Sequence, residues 1–533
     1  MKGMIFRGMC CAIGIFLSAW GAPVSCQTRQ TVQILGAQEI RRHPDVPGIQ
    51  RLIGDVRLGW KEAILTCDSA YRYDDGPFEV MGAVNMEDGR GGNLTANRMR
   101  LEPEPSWVLA YGDDEPVTWT DLESKLIGQS FVYEMDTRDL AWSETAAMHR
   151  RSVSTQDTLF MTSQRGHLWM DEDRLTLWDS VWIQRPSATL ISDSLVVRNL
   201  NDATKIELLG ATSMWSSEST RFFHGDRGEL DLDGESGWLA AADSASAAWF
   251  QEGDVVTSGL KLTLVDSLEQ VIEGNVYVSD TLGSFALWGR KLELEGDTLL
   301  LTGSGIQPAQ VSEATETPWL ITADTILRVA SAVGDALLAW PDAHMMQDES
   351  AGACDTLLWQ EADSMLTFLG QPVLWTEGSR LSSDSLWAHL VDGGMDRLDS
   401  RGHVCMTSGL DGGADSLHHT ISGRSLEGFF DASGDLDFIW VSGNSEVIQF
   451  DEDGQSLNHV QSSRLRIDFD GGTVEDIVML GSPNGVWTSV QGAPNLALPQ
   501  CPHEAAWPPR PYPDIPQLQI RFPRSQIRRS LHP

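Results

Sequence analysis

The chain carries 12 His, 76 Asp and Glu, and seven Cys. That supply would serve acid–base, nucleophilic or metal chemistry if the spacing gathered it, and the spacing does not. No HExxH or HxH pair occurs. His418 and His419 are adjacent, and neighbours on a strand face opposite sides of it. Gly303-Ser304-Gly305 reads as a turn, and there is no GxSxG elbow, Walker loop or GxGxxG unit. Asp231-Leu232-Asp233-Gly234-Glu235 and Asp451-Glu452-Asp453-Gly454 have the composition of calcium loops without the ligand spacing, so turn chemistry accounts for them. Carboxylate pairs are so common that none stands out for acid–base work. Cys67, Cys354, Cys405 and Cys501 are far apart and form no CxxC; disulfides and buried free thiols fit them equally. The expectation is a protein that is not an enzyme, with no catalytic residue, no metal and no cofactor.

Composition narrows the class. The formal net charge is −38 over 533 residues, with a sequence pI near 4.5. Such a surface repels phosphates, so nucleic acid is not an expected partner. With 41% hydrophobic residues, 20 Trp and 49 Gly, the chain is a folded, turn-rich polymer and not an acidic disordered one. Residues 1–26 have the form of a secretory signal peptide. Lys2 and Arg7 supply the positive start, Cys10 to Trp20 the short apolar stretch, and small residues run through Ser25. The apolar run is short for a bilayer span. A lipidated Cys26 is the second reading, and Pro23-Val24-Ser25 fits a lipobox poorly. The expected location is the periplasm.

The elements that position side chains are repeated. Leu65-Thr66-Cys67-Asp68-Ser69-Ala70 recurs as Leu190-Ile191-Ser192-Asp193-Ser194-Leu195, Ile321-Thr322-Ala323-Asp324-Thr325-Ile326 and Leu381-Ser382-Ser383-Asp384-Ser385-Leu386. Weaker copies are centred on Asn97, Gln129, Gln164, Asp226, Gly259, Gly289, Asp355, Arg424 and Ser463, so about thirteen units follow one another at spacings of 29 to 40 residues. A second element, Gly, one or two residues, then Val, precedes many of them: Gly54-Asp55-Val56, Gly82-Ala83-Val84, Gly274-Asn275-Val276, Gly370-Gln371-Pro372-Val373 and Gly402-His403-Val404.

Both segments alternate apolar and polar residues, as in Val56/Leu58 and Leu260/Leu262/Leu264, which marks half-buried strands. Asp-Gly pairs such as Asp75-Gly76, Asp88-Gly89 and Asp453-Gly454 suit tight turns. Within the Asp unit the phase changes. Positions one and three share one parity; apolar positions six and eight, as in Met99/Leu101, Phe131/Tyr133 and Leu195/Val197, share the other. An extra residue near Asp-Ser would bend the strand there, and a bend at one place per unit makes strands coil. The Asp is then a corner residue whose side chain bonds nearby amides. The fold class predicted is all-β: an elongated coiled β-jelly roll or β-solenoid of about thirteen two-strand units. Most of the Trp are expected in ordinary core and edge packing.

The segments expected are residues 27–200 and 201–490 as successive stretches of this repeat. Residues 491–533 form a tail with Arg510, Arg521, Arg524, Arg528 and Arg529 against Glu504 and Asp514, and ten prolines from Pro494 onward. Such a tail is extended or disordered; the protein's own acidic body, a partner and anionic lipid are all open as its docking site, as is no role.

Gly54-Asp55-Val56, Leu65 to Ala70, Gly82-Ala83-Val84 and Leu94-Thr95-Ala96-Asn97-Arg98-Met99 resemble the OstA-like family, which contains the lipopolysaccharide-transport protein LptA and the N-terminal domain of LptD. The resemblance is clearest over residues 30–200 and continues weakly to about 490. The chain is much longer than a simple LptA and lacks the long barrel segment of LptD. The resemblance implies an open β-jelly roll whose apolar interior shields lipid acyl chains, stacking by its end strands on LptC-like and LptD-like partners in outer-membrane biogenesis. It makes lipopolysaccharide, through its lipid A acyl chains, the expected ligand. Candidate lipid-binding residues are Ile53, Val56, Leu58, Leu65, Val80, Val84, Leu94, Met99, Leu101, Phe131 and Tyr133. With so acidic an exterior, the headgroup phosphates would stay in solvent or be met by local bases such as Arg41, Arg42, Arg51, Arg57, Lys61, Arg90, Arg98 and Arg100. A solenoid scaffold or adhesin of the cell envelope is the alternative, and a carbohydrate lyase would need a cluster on one face that the sequence does not display.

Overall fold

The computed structural model describes residues 32–490, apart from 44–45, 75, 152–157, 199–204, 217–220, 232–235, 266–268, 281–284, 304–308, 314–318, 348–349, 377–378, 392–393, 410–417, 433, 452 and 471–472, together with residues 498 and 501. The signal-peptide reading, Ser304 and Gly305 of the Gly303-Ser304-Gly305 turn, and the tail beyond Cys501 therefore lie outside the described residues. Among the described residues all 44 strand and helix elements are β-strands, and every register described among them is antiparallel. The chain is the all-β, coiled repeat that its alternation predicts. It divides into two compact units, Met1–Leu122 with Gly128–Thr137 and Glu123–Ile127 with Arg138–Pro533.

At eight of the corners the bend is a two-residue left-handed bulge. Gly54 and Asp55 both have positive φ (76° and 44°), as do Gly82 and Ala83, Gly274 and Asn275, Gly370 and Gln371, and Gly402 and His403. The first of each pair is glycine because left-handed backbone carries no Cβ penalty there. Across Gln50–Trp60 and Ala63–Arg72, Ile53 pairs with Ser69 and Val56 with Cys67, so Gly54 and Asp55 oppose Asp68 alone. The extra residue thus belongs to the Gly-x-Val segment, and the Asp is the single residue facing it; the two motifs read separately in sequence are the two sides of one corner. Asp179-Ser180, Gly443-Asn444 and Gly481-Ser482 make the same left-handed pair. Eleven of the thirteen repeat centres mark this corner position, whereas Gly259 and Gly289 fall one residue early, at corners held by Leu260 and Arg290.

Backbone and side-chain bonds lock the corner. The amide of Asp384 donates to the Gly402 carbonyl at 2.8 Å and that of Leu260 to Gly274 at 2.8 Å. The buried small residue at position three donates to the carbonyl two residues on: Ser192 to Ser194, Ser383 to Ser385 and Ser462 to Arg464, each at 3.0 Å, and Cys67 to Ser69 at 3.4 Å. The carboxylate role anticipated for the Asp is seen at Asp226, which accepts the Ala242 amide at 2.7 Å. At Asp384 the carboxylate instead meets the ring Nδ1 of His403 at 2.9 Å. Asp451 behaves as turn chemistry requires, accepting the amides of Gln455 and Ser456 at 2.7 and 3.0 Å.

The bulge also sets the phase. Val56, Val84, Val181, Val276 and Val404, each directly after a left-handed pair, point inward and are buried. Alternation then carries Leu58 inward on the far arm of the strand and Leu52 inward on the near arm. Trp119 and Trp142 are inside, but Trp182, Trp215, Trp288 and Trp440 alternate with buried residues and take the outer faces, so the tryptophans do not belong mainly to the core. Cys405 is bonded to Cys501, 96 residues later, while Cys67 and Cys354 are buried free thiols.

Candidate functional site

In the first unit the inward residues align across strands. One row runs Leu52, Ala70, Val80, Met99, Ala110 and Phe131, each the register partner of the next. On the other arm the row is Leu58, Leu65, Met86, Leu94 and Trp119. Phe78, Leu101, Val108 and Tyr133 form a third. All these side chains are at most 4% exposed. Cross-strand neighbours lie about 4.5–5.5 Å apart, so each row is a continuous apolar strip.

Ten of the eleven candidate residues lie on this inward surface: Val56, Leu58, Leu65, Val80, Val84, Leu94, Met99, Leu101, Phe131 and Tyr133. Ile53 sits directly before the corner with the opposite parity to Leu52. It is half-buried on the outer face, paired with Glu39 and Ser69. Sequence reasoning missed Leu52, Ala70, Phe78, Met86, Val108, Ala110 and Trp119, which complete the rows, and the buried Trp60 beyond Leu58. Part of the signal was in the sequence: inward residues stay in phase across Gly-x, so counting by two from Val56 finds Leu52 and Trp60, and from Val84 finds Met86.

One buried polar group sits among these rows. Asp88 closes the hairpin after Phe78–Glu87, accepting the amides of Arg90 and Gly92 at 2.8 Å each. The Tyr133 hydroxyl donates to its other oxygen at 3.3 Å, and Trp119 stacks on the Tyr133 ring with centroids 5.2 Å apart. Trp119 also lies against the Cα of Gly92, where a Cβ would collide with the indole.

The basic residues near this unit are largely neutralised. Arg41 pairs with Glu39 and Lys61 with Asp136. Arg90 meets Glu62 at 3.4 Å, Arg98 meets Asp113 and Glu79 at 3.6 and 3.7 Å, and Arg100 meets Glu102 at 2.5 Å. Five of the eight bases proposed for headgroup phosphates thus already face carboxylates on the outer surface. Burial pushes the Cys67 thiol up to about 11 and that of Cys354 up to about 12, which keeps both protonated and unreactive near neutrality. No group of three or more His, Cys, Asp or Glu side chains is arranged to hold a metal among the described residues.

The second unit repeats the design. Ile183, Leu190, Met214, Phe223 and Phe250 are successive register partners on its inner face, and the line continues through Thr257, Val278, Leu287, Val311 and Ile321. Fold and interior together define a class: an all-β repeat whose chemistry is an apolar inner surface. No family model matches the sequence, and no curated protein matches it. Among solved structures, the chain is similar to the crystal structure of LptH, the LptA-homologous periplasmic component of the conserved lipopolysaccharide transport device from Pseudomonas aeruginosa. That match has 15% identity and a TM-score of 0.19 and covers 20% of this chain and 76% of LptH.

Proposed function

We propose that this chain is a non-enzymatic periplasmic protein of the LptA type, which holds the acyl chains of lipopolysaccharide against its inward rows and hands the lipid toward the outer membrane. The observation that carries the reading is the unbroken apolar surface formed by Leu52 to Phe131 on one arm and Leu58 to Trp119 on the other. Each methylene withdrawn from water is worth about 0.8 kcal/mol, so an acyl chain of about a dozen carbons would gain on the order of 10 kcal/mol. The paired bases leave the headgroup in solvent.

Partners in this reading are LptC-like and LptD-like jelly rolls, adding strands at the ends of the repeat. The final strands, Thr473–Leu480 and Asn484–Ser489, both pair with Ser456–Asp470 and expose Val474, Val478, Leu480, Val486 and Trp487. The test places a photo-crosslinking residue at Val84 or Leu94, and at outward Thr66 or Asn85 as controls, in the full chain incubated with lipopolysaccharide. Adducts from the inward positions alone are expected. A folded β-protein that takes up no lipid at any position would sink the reading and leave the envelope scaffold in its place.

A further inference from the structure

The second unit has two outer faces, one on each arm of its bent strands, and they differ. On the arm holding Trp440, four outward rings are covered by arginines of neighbouring strands, while Trp178, Trp238 and Trp340 are not, among the described residues. Arg174 lies 3.9 Å from the Trp169 centroid, Arg464 3.9 Å from Trp440, Arg466 4.3 Å from Phe438 and Arg401 5.5 Å from Trp387. On the arm holding Cys405 the rings stack on each other. Trp215 is parallel to Phe222 at 6.4 Å, Phe222 to Trp249 at 4.6 Å, and Tyr277 leans on Trp288 at 5.6 Å. No arginine of the described residues is placed over Trp215, Phe222, Tyr277 or Trp288.

The chain's end is fastened to this second face. Val404 and Met406 take the inner parity, so Cys405 points outward, as do Ile448, Phe450 and Leu457 by their registers. Leu498 and Cys501 are buried against those four residues, with Val490 packed alongside. The disulfide to Cys405 lies closer than Leu457 to the aromatic rings in strand order, so the end of the chain is directed toward them.

We propose that residues 502–533 continue along this outer face and dock on Trp215 and Phe222, beside the buried Trp249, and on the Tyr277–Trp288 pair. Three features fit. The segment carries five arginines against two acids in a chain of net charge −38, and guanidinium groups stack on aromatic faces as they do on the opposite arm. Its prolines favour an extended polyproline II chain, the conformation that aromatic grooves accept. Its reach suffices. The 32 residues after Cys501, at about 3.1 Å each, span about 100 Å. Twelve strand pairings separate Cys405 from Trp215, about 58 Å at about 4.8 Å each.

The test is hydroxyl-radical labelling of the full disulfide-bonded chain, read residue by residue by mass spectrometry. In a variant with Arg510, Arg521, Arg524, Arg528 and Arg529 each changed to Gln, labelling of Trp215 and Trp288 should rise at least about threefold, while arginine-covered Trp169 and Trp440 stay constant. Equal labelling of Trp215 and Trp288 in both proteins overturns the proposal. Because the variant could misfold, a photo-crosslinker at Phe522 in the otherwise unchanged chain gives a second reading. Adducts within residues 212–225, 248–252 or 276–289 support docking. Adducts on the Trp440 arm, adducts only on added phosphatidylglycerol vesicles, or none, overturn it.

Discussion

The phenol of Tyr133 donates a hydrogen bond to the buried carboxylate of Asp88, 45 residues earlier, at 3.3 Å. The same carboxylate caps two amides of its own hairpin, so Asp88 serves both the turn and the interior. Tyr133→Phe removes one of these bonds and should cost about 1 kcal/mol in urea unfolding. Asp88→Ala strands the amides of Arg90 and Gly92 and the phenol together, and should cost roughly 2–3 kcal/mol. If the two substitutions cost the same, the hydroxyl and not the hairpin is the anchor.

The corner makes a sharper prediction. Gly402 has φ 74° and lies against the Asp384 carboxylate, whereas Gly296, also left-handed at φ 55°, has open space where a Cβ would be. Gly296→Ala should cost only the left-handed penalty, about 1–2 kcal/mol. Gly402→Ala adds a collision with Asp384 and should cost clearly more. In the Asp384→Ala background the carboxylate is gone but the Cβ, 2.9 Å from the new methyl, remains, so the penalty at Gly402 should fall part of the way toward that at Gly296, a coupling that thermal or urea unfolding of the double-mutant cycle measures.

These corners also show what the sequence could and could not convey. The period, the alternation and the phase switch were legible because they are local; they located the inward surface and ten of its lining residues. The side of the bulge was not, because one chain segment does not reveal which residue of its partner opposes it. Ile53 went to the outer face for that reason, although its neighbour Leu52 points in. The Cys405–Cys501 bond was equally hidden, since nothing within 96 residues of intervening strands marks that pairing. Core and edge rings could not be told apart in the sequence, because a half-buried outer face and a buried inner one use the same residue types.

The two free thiols give a chemical readout of burial. With their pKa raised to about 11 and about 12, Cys67 and Cys354 should resist maleimide at pH 8 in the native protein. A chain starting at residue 27, unfolded without reductant, should then react at these two positions only, because Cys405 and Cys501 are bonded. The sign of the linkage follows. The folded state holds these protons more tightly than the unfolded chain, so the stability this provides is present below the unfolded thiol range and declines as pH climbs through about 9 toward 11. Relative to Cys67→Ala, the wild type should lose stability across that window.

His224 predicts the opposite slope. Burial lowers its pKa, and its Nδ1 lies 3.0 Å from the Ser213 hydroxyl beside Trp249. The unfolded chain therefore takes up this proton first as pH falls. The associated stability is present above about pH 6.5 and is lost as pH drops below it. A His224→Gln variant should show a flatter stability profile between pH 7 and 5 in thermal unfolding, whatever its stability at pH 7.

The disulfide makes the last prediction, and it separates a local fastening from a global one. The bond ties Leu498 and Cys501 over outward Ile448, Phe450 and Leu457, and these residues are at most 5% exposed. Closing a loop of about 100 residues restricts the unfolded chain by up to about 4.7 kcal/mol in the entropy model. Only the last strands lie within that loop, so its loss should act on them before it acts on the rest of the repeat. Cys501→Ser should leave hydrogen exchange in Gln50–Trp60 and Arg174–Gln184 unchanged while raising it in Leu436–Phe450 and Ser456–Asp470. Leu498→Ala, which keeps the bond and removes the buried side chain, should give a smaller rise in the same strands. If exchange accelerated everywhere to the same degree, the repeat would be unfolding as one cooperative body, and the clamp at its end would be governing all of it.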